Sequence, residues 1–340
     1  MAQFTAPKQL RLVVAMKPES VAGTDVLSDT YVSTDVIPVI QDSVRWTQDQ
    51  NEIQNMMTSG RMGRAPSILG KLTARLDFDM YIRGKGAAYS ASLKPELDLP
   101  LRGCGLGVTS SFTGGSEFYQ YQPSDTEEVM TVYVVQEIPG QVSNLAIQMV
   151  GCLATGRMVA RAGEPMRASF SFVGQLEERK DITPGGFTTG QLNLSPGFPT
   201  MKAAAFQYGG YAPRIANIGF DLGNTCNPIE SINAAGGVAG FKIFDRNPRL
   251  QIDPELDRET ASSWWAKLRD SNPLDDCTFQ LGTTQYNRMK FRFGANGGAG
   301  DAQLQLVRQA LGARDGLSIW QSEFLATISL GNDDYSLRFD

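Results

Sequence analysis

Histidine is absent from this chain of 340 residues. A serine or cysteine nucleophile working near neutral pH passes its proton to a neighbouring base, most often histidine. The absence removes Ser-His-Asp and Cys-His arrangements, the H-E-x-x-H zinc helix and every histidine-ligated metal site, together with the usual physiological pH switch. Cysteine is scarce: Cys104, Cys152, Cys226 and Cys277 are dispersed and form no C-x-x-C pair. That spacing gives a zinc site no basis and fits a chain made in a reducing cytoplasm, its thiols serving as small apolar residues. Long apolar runs are missing too. The opening "MAQFTAPKQLRLVVAM" holds only Leu12 to Met16, too little for a signal-peptide core, and no stretch approaches the roughly 20 apolar residues of a spanning helix. A soluble protein with no membrane partner is expected. A basic excess is lacking as well: Lys and Arg number 31 against 36 Asp and Glu, a net charge of −5, so tight electrostatic capture of DNA or RNA is not expected.

What the chain does have is turn formers and alternation. Its 35 glycines and 17 prolines imply many turns and short strands, hence a mainly β fold. "TARLDFDMYIR" sets Ala74, Leu76, Phe78, Met80 and Ile82 on one face and Arg75, Asp77, Asp79 and Arg83 on the other, the mark of a half-buried antiparallel strand. "EEVMTVYVVQE", "SNLAIQMVG" and "MRASFSFVG" predict three more strands, divided by "IPG" and "RAGEP" turns. Ser92 is the expected cap of a short helix with Pro95 in its first turn. Residues 178–200, rich in Gly, Pro and Thr, read as a loop or linker. Beyond it "RIANIGFDLG" and "FKIFDRNPRLQIDP" predict strands, "DRETASSWWAKLRD" a helix capped by Asp257 or Asp253, and "CTFQLG", "NRMKFRFG", "SEFLATISLG" and "YSLRFD" four closing strands, the last two joined by a "GNDD" turn. Both halves run long strand, short helix, then four strands. A duplicated β unit is expected, with domains 1–185 and 201–340 joined by a linker at 186–200.

Motifs that suggest chemistry each have a plainer reading. "LPLRGCGLG" flanks Cys104 with glycines, as a nucleophile loop would, but with no base in the chain the glycines serve a tight turn and Cys104 fills a core. "GANGGAGDAQLQLVRQALG" lacks the lysine and Ser/Thr of a phosphate-binding loop; Asp301 as N-cap and Leu304, Val307 and Leu311 as a stripe predict an amphipathic helix. The pair Asp275 and Asp276 and the acids of "DPELDRE" match no paired-acid signature. No catalytic, cofactor-binding or metal-ligating set emerges, and the chain is not expected to be an enzyme. Trp264 and Trp265 point about 100° apart on a helix, so one suits the core and the other an interface. The polar, Met- and Arg-containing stretch Gln41 to Pro66 is either a solvent loop or an arm that orders against a neighbouring subunit.

Four stretches carry a resemblance spread along nearly the whole chain: "LRLVVAMKPESVAGTD"; "GKLTARLDFDMYIRG" with "LPLRGCGLG"; "RMVARAGEPMRASFSFVG"; and "GFKIFDRNPRLQIDPELD". Together they resemble the major tail tube proteins of long-tailed, siphovirus-type bacteriophages, although single-domain members are about half this long. The resemblance implies a β-sandwich or barrel with flanking short helices whose inner strands join those of neighbours around a channel. It further implies a virion structural protein, assembled in the host cytoplasm into rings that stack as the tail tube. Its partners would be copies of itself, as a pseudo-hexameric trimer or a hexamer, and tape measure and tail completion proteins. Viral DNA would pass through during ejection without specific binding. The acidic balance fits a channel wall that repels phosphate at short range. The alternative from the residues alone is a monomeric carbohydrate-binding or adhesin-like β module, and a histidine-free hydrolase using two carboxylates is a third.

Overall fold

Alternating apolar and polar residues become antiparallel strands along most of the chain. The computed structural model describes residues 11–27, 32, 34–53, 67–137, 144–182, 195–234, 237–257, 264–269, 274–293, 304–328 and 331–340. The strands before residue 183 are β1 (Arg11–Pro18), β2 (Val36–Ile37), β3 (Arg45–Ile53), β4 (Ile68–Tyr81), β5 (Leu106–Ser111), β6 (Phe118–Pro123), β7 (Met130–Glu137), β8 (Asn144–Arg161) and β9 (Arg167–Ile182). Those after residue 194 are β10 (Gln207–Tyr208), β11 (Asn217–Asp221), β12 (Asn224–Glu230), β13 (Val238–Arg246), β14 (Arg249–Ile252) and β15 (Leu274–Asp275), followed by β16 (Cys277–Leu281), β17 (Met289–Phe293), β18 (Leu304–Arg314), β19 (Leu317–Ala326) and β20 (Ser336–Phe339). Two short helices, α1 (Asp98–Gly103) and α2 (Trp264–Arg269), complete a mainly β, sandwich-like fold.

The larger sheet contains a continuous path of eight antiparallel strands, β3-β4-β9-β8-β11-β14-β19-β18. Two strands before residue 183 form a hairpin, β3-β4, against which the hairpin β9-β8 lies. After residue 216 the order repeats: β11 and β14 pair, and β19-β18 lies against them. In each half the helix falls between the two pairs, α1 after β4 and α2 after β14. The 12-stranded sheet branches at β8, whose first part pairs with β7 and whose last part, Arg157 to Arg161, pairs with β11. The change of neighbour follows a bulge at Val150–Leu153, where Gly151 has φ +61° and its N–H donates to Glu19 Oε1 at 2.7 Å. An extra residue in one strand bends and twists it, and here that bend moves β8 from one partner to the next.

A second sheet, ordered β10-β16-β17-β20-β6-β5, packs over the first. Phe220 of β11 meets Phe293 of β17 at 5.0 Å and Tyr335 at 4.9 Å between ring centroids. Tyr208 of β10 meets Phe324 of β19 at 4.9 Å. One core cluster includes Leu76, Phe78, Phe172, Phe220, Phe279, Phe291 and Leu337, so strands from both sides of 186–200 share both sheets and one core. The β12–β13 pair forms a separate ribbon that lays Val238, Phe241 and Ile243 on Leu153 and carries Glu230 to an ion pair with Lys71.

The apolar side of the alternation read in residues 73–83 holds, with Ala74, Leu76, Phe78, Met80 and Ile82 all buried, but β4 ends at Tyr81 and Arg83, expected on the polar face, is buried against Glu96 at 2.7 Å. Several local expectations are corrected. Residues 304–314 form strand β18, not a helix. Leu304 and Leu306 face the core, a bulge between Leu306 and Arg308 turns Val307 outward, and Leu311 is exposed; the bulge brought the apolar spacing near a helical period. Asp301 and the glycine loop before it lie outside the described residues. Helix α1 starts at Asp98 with Leu97 at its cap, so Ser92 does not cap it; Ser90 Oγ accepts from Leu93 N in a turn upstream instead. Asp253 is buried and accepts from Ala216 N and Asn217 N, and Asp257 accepts from the Tyr211 hydroxyl; residues 258–263, where the expected helix start falls, lie outside the described ones. The "GNDD" segment is no hairpin turn: β19 belongs to the large sheet and β20 to the second, so it crosses between them. Of the stretch Gln41 to Pro66, residues 45–53 form edge strand β3, and residues 54–66 lie outside the described ones. Most of the 186–200 linker, residues 186–194, also lies outside them.

Candidate functional site

Side chains alternate across each strand, so the eight-strand path has one face in the core and one face away from it. The ladder partners Asp77↔Ser171 and Asp79↔Ser169, Arg157↔Ser169 and Val159↔Arg167, Asp221↔Arg157, Gln251↔Gly219, Glu323↔Gln251 and Arg308↔Glu323 put these residues on the same outward face. Two grooves indent it. One, of about 880 Å³, runs across β8, β11, β14 and β19 and is lined by Arg157, Val159, Arg161, Gln251, Arg308 and Glu323. The other, of about 430 Å³, lies over β4 and β9 beside Arg45, Asp77, Asp79 and Ser171.

The charges here are mixed. Arg75 Nε meets Asp77 Oδ1 at 2.9 Å, Arg167 meets Asp79 at 3.6 Å, and Arg249 meets Glu323 at 2.6 Å. Arg157 donates to Gln251 Oε1 at 3.1 Å. Arg45, Arg161 and Arg308 have no carboxylate within 4.0 Å among the described residues. The chain-wide acid excess is therefore not located on this face. Alternation has interleaved arginines with Asp and Glu on it.

Among the described residues the two edges of the path are open and unlike. At one end β3 pairs with β4 alone among them, and it presents exposed Asp49, Glu52 and Ile53. At the other, β15 pairs with β18 only at Leu304 and Gln305, leaving 306–314 without an outer partner among the described residues. That edge carries exposed Val307, Arg308 and Leu311. Helix α2 sits beside β15, where Lys267 pairs with Asp275 at 2.9 Å; the side chains of Trp264 and Trp265 lie outside the described residues.

The structure places Cys104 at the C-cap of α1, buried, with burial pushing its thiol pKa up. A thiolate nucleophile needs the opposite environment. The flanking glycines have structural causes: a Cβ at Gly103 would lie 2.7 Å from the Phe172 ring, and Gly105 holds φ +73°. Burial also raises the Cys152 and Cys277 thiols. Asp275 is tied to Lys267, and the acids Asp253 and Glu255 share Arg314 at 2.6 and 3.3 Å. Among the described residues no three Cys, Asp or Glu side chains converge as a metal site, and no helix is long and apolar enough to cross a membrane. Which edges are unpaired was not read from the sequence: residues 45–53 hold only Trp46 and Ile53 as apolar residues and show no period-two alternation.

No family model matches the chain, and comparison with curated proteins finds no match.

Proposed function

We propose that the chain is a self-assembling ring subunit of a tail tube of the siphovirus type, a conduit for DNA. The observation that carries this is the eight-strand antiparallel path whose two dissimilar edges are open among the described residues. An unpaired edge is a template for another strand, and proteins that leave one open without charge or cover risk aggregation. Joining unlike edges head to tail makes a heterologous interface, which closes into a ring when the rotation allows. Asp49 and Glu52 make the β3 edge acidic, and Ile53 on it has apolar counterparts in Val307 and Leu311 on the β18 edge.

The repeated strand order supports a duplicated unit. The β8–β11 pairing inside the chain is then the same joint that would link one copy to the next, and three chains would supply a barrel of about 24 strands with pseudo-sixfold symmetry. The outward polar face would line the channel. In this reading the protein sits in the virion tail, with copies of itself and tape measure and tail completion proteins as partners.

Electron microscopy of the purified full-length chain, with mass measurement of its smallest ring, tests the proposal. Rings or tubes whose unit has the mass of three chains are expected; a unit of six would overturn the duplicated reading, and dispersed monomers under all ionic conditions would overturn the tube itself. Monomers would favour the carbohydrate-binding alternative. That alternative calls for an aromatic platform, whereas the exposed phenylalanines Phe112, Phe198 and Phe244 stand on separate segments.

A further inference from the structure

The geometry points to a polyanion site on the outward face: the 880 Å³ groove, through Arg157, Arg161 and Arg308, makes weak, sequence-independent contacts to the phosphate backbone of duplex DNA. This rests on the tube reading, which supplies the DNA, and it replaces simple repulsion by the wall with transient attraction.

Two observations carry it. Arg161 and Arg308 have no carboxylate partner among the described residues, and Arg157 has only the neutral Gln251 amide. A guanidinium without an internal carboxylate keeps its planar fork for a phosphate oxygen. Of the acids nearby, Glu323 holds Arg249 and Asp253 in the groove wall holds Arg314, while Asp221, the ladder partner of Arg157, accepts from Gly223 N at 2.9 Å and stands outside the groove lining. Glu164 stays exposed at the rim and offsets part of the positive charge. At physiological salt the Debye length is about 8 Å, so a phosphate in the groove responds to these side chains more than to the net charge of the whole chain.

The lining also selects among nucleic acids. Single strands are held by stacking bases on aromatic platforms. Tyr81 is the aromatic residue lining the groove, and its ring is covered by the Arg167 guanidinium at 5.8 Å. Groups that read base edges need to enter a DNA groove on a projecting helix or ribbon, which a recessed sheet face does not offer. What remains is contact to the duplex backbone, which positions without specifying sequence. A few arginines give a small number of neutralised phosphates, so the attraction is shallow enough for DNA to slide.

The test is fluorescence anisotropy of the full-length chain with a labelled duplex of about 20 base pairs, titrated in salt. Binding at low salt is expected, with a slope of log K against log[salt] of about −2 to −3, and its loss near physiological salt. Arg161→Gln should flatten the slope by about one. The combined Arg157→Gln, Arg161→Gln, Arg308→Gln variant should lose at least about tenfold in affinity at low salt, while Arg214→Gln, at an exposed arginine outside the groove, changes nothing. Circular dichroism and thermal unfolding confirm that each variant is folded; if the triple variant is not, the single Arg161→Gln slope decides. No binding at low salt, an unchanged slope, or preference for an acidic helical peptide over the duplex would overturn the inference. Electron microscopy of the same samples separates the two claims: rings without DNA binding sink this one alone, and DNA binding without rings sinks the tube.

Discussion

Replacing Asp334 by asparagine should make the protein's stability less dependent on pH. Asp334 lies in the crossing from β19 to β20 and is 4% exposed, and its Oδ1 has no hydrogen-bond partner. Burial is the main cause of a carboxyl pKa pushed up to about 6 from 3.8; nearby Asp333 adds to the rise, and Arg246 with the backbone N–H groups of Asp334 and Tyr335 opposes it. The folded protein thus binds this proton more tightly than the unfolded chain, so the ionised group costs stability above pH 6 and the cost fades as pH falls toward 3.8. A shift from 3.8 to about 6 is worth about 3 kcal/mol at pH 8, and about 0.6 kcal/mol remains at pH 4. Asp334→Asn removes this term, though its amide carries a fixed cost of its own in the same unpartnered position. That fixed cost cancels when the effect of the substitution is compared between two pH values. Urea denaturation of the unassembled chain should show the variant gaining about 2 kcal/mol relative to wild type on going from pH 4 to pH 8. The wild-type curve alone is not enough, because Asp340, whose carboxyl is held low by Arg288 and Lys290 against its burial, acts in the opposite direction. A gain below about 0.5 kcal/mol, or one of opposite sign, would refute the assignment of a buried, destabilised carboxylate.

Two further substitutions probe the packing that supports the outward face. Gly103→Val drives its Cβ to within 2.7 Å of Phe172 and should cost about 1–3 kcal/mol in urea denaturation, whereas Gly114→Val, at an open position, should be silent; equal effects would show that α1 does not press on β9. Asp253→Ala removes acceptors for Ala216 N, Asn217 N and Nδ2, and Arg314 at 2.6–2.9 Å and leaves Arg314 with the Glu255 carboxylate at 3.3 Å, so a loss of about 2–4 kcal/mol is expected, most of it from the donors left unpaired, and a change within experimental error would remove this cluster from the account of how β11 and β14 are held.

How much of this protein was written locally can be judged from particular stretches. Residues 73–81 declare their strand outright, because period-two alternation needs nothing beyond a buried face, whereas Arg83, just past its end, is buried by its pairing with Glu96. The expected strands at 143–151 and 166–174 were real but short of their true extent. β8 and β9 continue to Arg161 and Ile182, because long-range pairing sustains a strand past the point where local alternation weakens. The stretch 304–312 misled, since a single bulge places outward residues at helical spacing. Cys104 was legible as a core residue from the lack of any base and from its glycines. The polar outward face was legible too, strand by strand, but its charge was not: net composition averages over all surfaces, and only the ladder register says which arginines stand beside which acids.

By itself, then, the amino-acid order determined the β class, the core-facing residues of the clearest strands and the exclusion of histidine chemistry, since each follows from side-chain identity and short-range spacing. Tertiary structure alone decided which strands are neighbours, where β8 changes partner, which two edges stay open and how the charges fall on one face. Those features depend on hydrogen bonds between residues up to more than a hundred positions apart, and a strand carries no local mark of the partner it will find.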